Sequence, residues 1–280
     1  MLTKHKKKGL EGFQNFVCNI ETASLDSFRN ILQVAMIEDP IYITWALKNL
    51  MHFQDVMALE DDPFEALLKA LPNRRTWVYA FGRSEMEPLF LGKVSKITRQ
   101  QFLDELALVN EITPAQQLQA RNACITKIRS LQKNHELDPY PWKLPAQEVL
   151  DGSHLKLPTS GEVVLDYESG TPALRGKTEN HQRTGHWDVF FPNGQKYAEG
   201  EYKEDQRDGQ WQFYGPRGEL KIQQNYEEGH LVSTTHLDTK QDATAKADAT
   251  PHADAAADKS ASAPASGTSS SSTPSSSPAA

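Results

Sequence analysis

Gly185-His186-Trp187-Asp188-Val189-Phe190 returns 24 residues on (209 − 185) as Gly209-Gln210-Trp211-Gln212-Phe213-Tyr214. The same offset relates Gly194 to Gly218, Glu201 to Asn225 and Tyr202 to Tyr226, and a worn earlier copy keeps Gly161, Gly170 and Gly176. A fixed period of this size marks a repeat architecture, each unit being one supersecondary element. Within a unit, Trp187, Val189 and Phe191 alternate with Asp188 and Phe190, as residues of a half-buried strand do. Pro192-Asn193-Gly194-Gln195 follows, and its Asn-Gly predicts a type I′ hairpin turn, with Lys196 to Tyr202 as the return strand. That register sets Val189 opposite Ala198 and Trp187 opposite Gly200, small residues facing large ones. A lone hairpin is marginal in water, so the units are expected to stack edge to edge. The expected core aromatics of the array are Trp187, Phe190, Tyr202, Trp211, Tyr214 and Tyr226, and its turn glycines are Gly170, Gly194 and Gly218.

These residues resemble the MORN-like hairpin repeats of the YwqK antitoxin family, whose pattern is G-x-W-x-x-Y-Y-x-N-G-x-x-x-x-E-G-x-Y. Gly185, Trp187, Phe190, Phe191, Asn193, Gly194, Glu199, Gly200 and Tyr202 match it. In the next unit Gly209, Trp211, Tyr214, Gly218 and Tyr226 match, but Arg217 replaces Asn and Gln223-Gln224 replaces Glu-Gly. The first unit keeps Gly161, Tyr167, Gly170 and Gly176. The resemblance implies a shape rather than a chemistry.

Working outward, a chain of 280 residues has room for two domains. Charge is uneven: residues 1–150 carry 18 Lys/Arg and 18 Asp/Glu, whereas residues 151–280 carry 12 and 19, which accounts for the whole net charge of −7. No broad basic face for nucleic acid is expected, since such binding rests on neutralising phosphates. The one basic cluster, Lys4-His5-Lys6-Lys7-Lys8, reads as a solvated terminal tail, with an anionic membrane surface as the weaker alternative. No secretory signal or membrane-spanning run is legible, and Cys18 and Cys124 read as reduced, buried small hydrophobes. The expected location is cytoplasmic, peripheral to the inner membrane only through a partner.

The N-terminal half has helical periodicity. Leu10, Phe13, Phe16, Val17 and Ile20 share one face, and Ser24 precedes a second stripe of Leu25, Phe28, Ile31, Leu32, Ala35 and Met36. Asp39-Pro40, Asp62-Pro63 and Thr113-Pro114 each read as a cap followed by proline at the first helical position. Arg74 to Phe81 reads as helix ended by Gly82, and Ser95 or Thr98 caps a helix that buries Phe102, Leu103, Leu106 and Val109. The last long helix is expected to bury Leu118, Ile125, Ile128 and Leu131.

Across residues 25–138 the ordered series Ile31-Leu32, Glu38-Asp39-Pro40, Met51-His52-Phe53-Gln54-Asp55, Leu59-Glu60-Asp61-Asp62, Leu67-Leu68, Ala80-Phe81, Val94-Ser95-Lys96 and Phe102-Leu103-Asp104-Glu105-Leu106 is similar to the C-terminal part of FliG, the flagellar motor switch protein. The resemblance implies an armadillo-like helical fold with a charged helix that meets another protein. On this chain that helix carries Lys96, Arg99, Asp104 and Glu105, the candidate partner-binding face. Ile97 stands at a position that is basic in the family, and the family's middle and N-terminal domains have no counterpart here.

The expected fold is therefore α+β: a helical domain over 1–138, a proline-rich linker or strap over 139–160, hairpin repeats over 161–232 and a disordered Ala/Ser/Thr/Pro-rich tail over 233–280. Replacing Trp187 or Trp211 is expected to melt the repeats and leave the helices. No nucleotide loop, metalloprotease motif or nucleophile elbow is present in the sequence, so no catalytic residue and no cofactor are expected. His181, His186 and Asp188 form a weak metal motif, because they bring only two imidazoles to a turn between units. The reading is a non-enzymatic protein–protein adaptor, in a motility or envelope assembly by the FliG resemblance. The rival is an antitoxin or immunity protein whose acidic repeats mask a toxin.

Overall fold

The computed structural model describes residues 1–71, 73–136 and 141–237. The start of the proline-rich segment (137–140) and the tail from 238 lie outside the described residues. Helices α1 (Thr3–Lys6), α2 (Gly9–Glu21), α3 (Leu25–Glu38), α4 (Pro40–Leu47), α5 (Phe53–Ala58), α6 (Asp61–Ala70), α7 (Arg74–Phe81), α8 (Glu87–Lys93), α9 (Lys96–Ala107), α10 (Pro114–Lys133) and α11 (Gln147–Asp151) precede strands β1 (Gly161–Asp166), β2 (Pro172–Glu179), β3 (Gln182–Phe190), β4 (Lys196–Lys203), β5 (Gln206–Tyr214), β6 (Leu220–Glu227) and β7 (His230–His236). The fold is α+β, with a seven-stranded antiparallel sheet in sequential order.

Capping fixes where helices begin. Ser24 accepts from Ser27 N–H at 3.3 Å, Asp39 from Tyr42 N–H at 3.0 Å and Ser95 from Thr98 N–H at 3.2 Å. Thr113 and Gln116 form a reciprocal capping box ahead of Pro114. Asp62 does not cap: α6 begins at Asp61, so both aspartates lie in the first turn, where the helix dipole favours them. Leu25, Leu103 and Leu118, expected inside, are exposed. Leu25 is the first residue of its helix, and Leu103 lies one helical step off the inward line of Phe102 and Leu106. Cys124 is buried as expected, but Cys18 is only half-buried.

The register of the middle hairpin matches the sequence reading: Trp187 pairs with Gly200 and Val189 with Ala198. Its turn does not. Of Asn193-Gly194 only the glycine has positive φ (82°), Gly194 N–H donates to Phe191 C=O, and Phe191 N–H to Gln195 C=O. Pro192, with φ held negative by its ring, thereby takes the first central position of the turn and the glycine follows as a bulge. Gly170 and Gly218 repeat this, with φ of 79° and 85°. The type I′ geometry falls between units instead, at Asn180-His181 (52°, 64°), Glu204-Asp205 (51°, 65°) and Glu228-Gly229 (46°, 82°).

Strict alternation then sorts the aromatics. Trp187, Tyr202, Trp211 and Tyr226 are buried on the inner face with Val189, Ala198 and Phe213. Phe190 and Tyr214, grouped with them in the sequence reading, are one residue out of phase and half-buried on the opposite face. Each indole lies over the glycine of the preceding strand. A Cβ added at Gly176 would sit 2.1 Å from Trp187 Cδ2, and one at Gly200 would sit 2.4 Å from Trp211 Cδ2. The third unit has Gln224 at this place. A one-residue bulge at Val232 brings Thr234 to the place on the next strand where a tryptophan would stand, so a side chain is accommodated: Gln224 bonds Thr234 at 3.3 Å and the Tyr226 hydroxyl at 2.8 Å. Strand β7 also extends the sheet through His236, into the span read as tail.

The apolar cores divide the chain differently from its sequence segments. One core is made by α5–α10, from Met51 to Ile128. A second joins Phe13, Phe16, Val17, Ile20, Tyr42 and Ala46 of the first helices to Val149 and Leu150 of α11 and to Tyr167 and Ala173 of the sheet. The third is the inner sheet face, closed by Ile37, Leu155 and Leu157. The proline-rich segment is a docked strap: Asn49 exchanges 2.7 and 2.8 Å bonds with the Lys143 backbone, and Arg129 stacks 4.2 Å from the Trp142 ring.

The N-terminal basic cluster is not a free tail. Leu2 is fully buried, and Lys6 Nζ lies 2.8 Å from the wholly buried Asp39 carboxylate, whose other oxygen meets His154 Nε2 of the strap at 3.1 Å. Burial alone works to raise the Asp39 pKa, but the His154 hydrogen bond and the Lys6 charge outweigh it and hold it below the usual carboxylate value. Burial opposes charge on His154 too, and its bond to Asp39 overrides this, raising its pKa.

Candidate functional site

Three surfaces merit comparison: the exposed side of α9, the outer sheet face at the middle repeat, and the free edge at β7. On α9 the four charged residues do not converge. With 97 at the centre of the solvent face and 100° per residue, Asp104 lies about 20° from that centre, Lys96 and Glu105 lie about 100° and 80° to its two sides, and Arg99 lies about 160° round the helix. Arg99 Nε donates to Leu91 C=O at 2.9 Å, and Glu105 accepts from Arg75 Nε at 2.7 Å. What the sequence reading missed is apolar: Ile97 (72% exposed) and Leu108 (70%) lie along the same face as Asp104. The signal was present in Ile97, which departs from the basic pattern.

The outer face of the middle repeat gathers ionisable groups. Asp188 pairs across the strands with Glu199, and His186 with Glu201. Lys196 Nζ sits 2.8 Å from Asp188 Oδ1 and 2.6 Å from Glu199 Oε2. His186 Nε2 faces the same two oxygens at 3.3 and 3.5 Å, and its Nδ1 faces Glu201 at 3.3 Å. The Tyr214 hydroxyl donates to Glu199. Burial works against charge on Lys196 and Glu199, but the bonds to Asp188 and then Glu199 outweigh it and raise the Lys196 pKa, and the bonds from Lys196 and then Tyr214 outweigh it and lower the Glu199 pKa. Burial, then Glu199, push Tyr214 up to about 12. His181 is outside this group, at a turn with Nε2 3.2 Å from Thr159 Oγ1. The structure thus drops His181 from the sequence motif and adds Glu199.

At the far end of the sheet every residue of β7 is exposed, Leu231 to 52% and Val232 to 57%. No described strand pairs with its outer edge. Leu237 N–H donates inward to Lys221 C=O at 2.8 Å. By alternation the backbone groups of Ser233 and Thr235 also face β6, and those of Thr234 and His236 face outward. From His230 to Leu237 there is no Lys, Arg, Asp, Glu or Pro. The protective device is one bulge at Val232, where Asn225 pairs with Ser233 and Tyr226 with Leu231.

Fold and surfaces define an α+β chain in which a hairpin-repeat sheet is carried on a set of short helices. It is similar in part to the solved structure of full-length FliG from Aquifex aeolicus, at 22% identity and a TM-score of 0.28, over 44% of this chain and 39% of that one. The match thus spans well under half of that protein's length. No protein-family model and no curated protein matches the chain. Among the described residues no helix is long and apolar enough to cross a membrane.

Proposed function

We propose that the chain is a non-enzymatic protein–protein adaptor that takes an extended segment of a partner as an added strand on β7. The observation behind this reading is the outer edge, free of Lys, Arg, Asp and Glu and unpaired among the described residues, with its outward-facing backbone at Thr234 and His236. Strand addition draws affinity from main-chain hydrogen bonds and specificity from alternate side chains, here the exposed Leu231 and Val232. The α9 face with Ile97, Asp104 and Leu108 is the site we assign to a second protein. A motility or envelope setting in the bacterial cytoplasm is the context we favour, on the ordered residue series of the helical half.

Thr234→Pro tests the edge. It removes an outward N–H and leaves the inward bonds of Thr235 and Leu237 intact. Full-length chain and variant are used as baits in the native cell, followed by mass spectrometry. We expect a partner held by the wild type to be lost by Thr234→Pro, with no more than a small drop in melting temperature from the lost Gln224–Thr234 bond, while Ile97→Asp releases a different protein. Identical captures by wild type and Thr234→Pro would overturn strand addition. A small basic toxin released by charge changes on the repeats, and unaffected by either variant, would replace the adaptor by an antitoxin.

A further inference from the structure

The repeat supplies its own control for the outer-face cluster. The positions of His186, Asp188, Glu199 and Glu201 are occupied in the third unit by Gln210, Gln212, Gln223 and Asn225, four neutral amides. In the first unit they are Glu162, Val164, Arg175 and Lys177, where Glu162 stands opposite Lys177. Within a hairpin, the middle unit alone sets two carboxylates directly across from each other, at Asp188 and Glu199; between units Glu201 stands across from Asp208. Like charges so placed are destabilising unless a cation lies between them. The Lys196 ammonium lies against Asp188 and Glu199, and Arg175 of β2 stands directly across from Asp188.

The donor geometry goes further than charge. A four-coordinate zinc ion with Zn–N and Zn–O bonds of about 2.0–2.2 Å places its ligand atoms roughly 3.3–3.5 Å apart. His186 Nε2 lies 3.3 Å from Asp188 Oδ1 and 3.5 Å from Glu199 Oε2. The three donor atoms lie within 4.8 Å of one another. The remaining ring nitrogen, Nδ1, meets Glu201 at 3.3 Å, the outer carboxylate that fixes a ligating imidazole with its Nε2 lone pair toward the metal. Lys196 stands at the cation position with its side chain 35% exposed, at the start of β4 and free to swing into solvent.

We propose that His186, Asp188 and Glu199 form a binding site for a divalent transition ion of the zinc class, with Glu201 orienting the histidine and Lys196 acting as a competing internal cation. The fourth position faces water. Bound there, the ion ties β3 to β4 at the middle of the sheet and stabilises the folded chain by mass action.

The test is calorimetric titration of the full-length, metal-free chain with Zn2+, paired with melting temperature and with the visible spectrum on Co2+ loading. We expect one ion per chain at this site, a rise in melting temperature and a tetrahedral Co2+ spectrum. His186→Ala should weaken binding by about tenfold or more, judged against the 10–100-fold carried by outer-shell partners alone. Lys196→Gln should tighten it, because the competitor is gone. Failure of both wild type and Lys196→Gln to bind overturns the site. Binding that His186→Ala and Glu199→Gln leave unchanged also overturns it, since the ion then rests on other histidines.

Discussion

The two ends of the sheet are built on one repeat and finished differently. At the β1–β2 end, Tyr167 and Ala173 enter the core of the first helices, the Tyr167 hydroxyl donates to Phe190 C=O at 2.6 Å, and Thr178 donates to the strap at Pro158 C=O. At the β7 end, Thr234 takes the place of a third tryptophan, Gln224 takes the place of the glycine beneath it, and no described strand pairs with the outer edge. The difference teaches how an array is anchored on one side and left available on the other. A glycine is demanded only where an indole must lie on the strand, and an edge stays open where no charge, proline or helix closes it.

The largest expected effect breaks the nearest-neighbour packing. Trp211→Ala removes a fully buried indole held by its N–H to Glu201 C=O at 3.1 Å, and should cost about 3–5 kcal/mol in denaturant unfolding. Because the sheet shares its core with α1–α4, those helices should be lost with it while the α5–α10 core persists, which differs from the sequence expectation that all helices survive. A cost below about 1 kcal/mol would refute the stacking account. At the anchored side, Asp39→Ala strands Lys6 and His154 and should cost about 3–5 kcal/mol by the same measurement.

Gly200→Ala and Gln224→Ala sharpen the contrast between a repeated unit and the finishing one. The first drives a methyl into Trp211 and should cost about 1–3 kcal/mol. The second removes a side chain whose partners are Thr234 and Tyr226, and should be the milder by at least half. Equal effects would mean that the glycine is not there for the indole.

The Asp39–His154 contact gives the anchored end a pH dependence. The Asp39 pKa is lowered from 3.8, so its contribution is present above 3.8 and lost as pH falls through its folded value. The His154 pKa is raised from 6.5, so its contribution is full below 6.5 and lost as pH rises through its folded value. Stability from this contact should peak between these limits, and His154→Ala should flatten the alkaline side of a melting-temperature profile. An unchanged profile would exclude the contact from the stability of the strap.

Much of the fold is legible in the sequence because its signals are local. The Ser24, Asp39, Ser95 and Thr113 caps lie within one turn of what they determine, and the Trp–Gly coupling and the period of 24 act between adjacent strands or units. The failures are of two kinds. Asn193-Gly194 is a strong hairpin signal, but the turn begins one residue earlier, at Pro192, as it does at Glu168 of the first unit, and the type I′ geometry falls at Glu204-Asp205, a pair with no glycine. Other failures are long-range. Nothing near Lys6 announces that Asp39 and His154 will bury it, and nothing near His186 announces that Glu199, rather than His181, will face it. Alternation was readable in Trp187 and Val189 yet overridden for Phe190 and Tyr214 by the family pattern, which groups aromatics without regard to face.

The open edge at β7 is the claim on which the functional account rests, and amide hydrogen exchange of the isolated chain, read residue by residue, tests it most directly. The account predicts fast exchange at Thr234 and His236 beside slow exchange at Thr235 and Leu237, with Thr234 and His236 becoming protected once the captured partner is bound. Slow exchange at Thr234 and His236 in the isolated, monomeric chain would contradict it, since the edge would then already be covered.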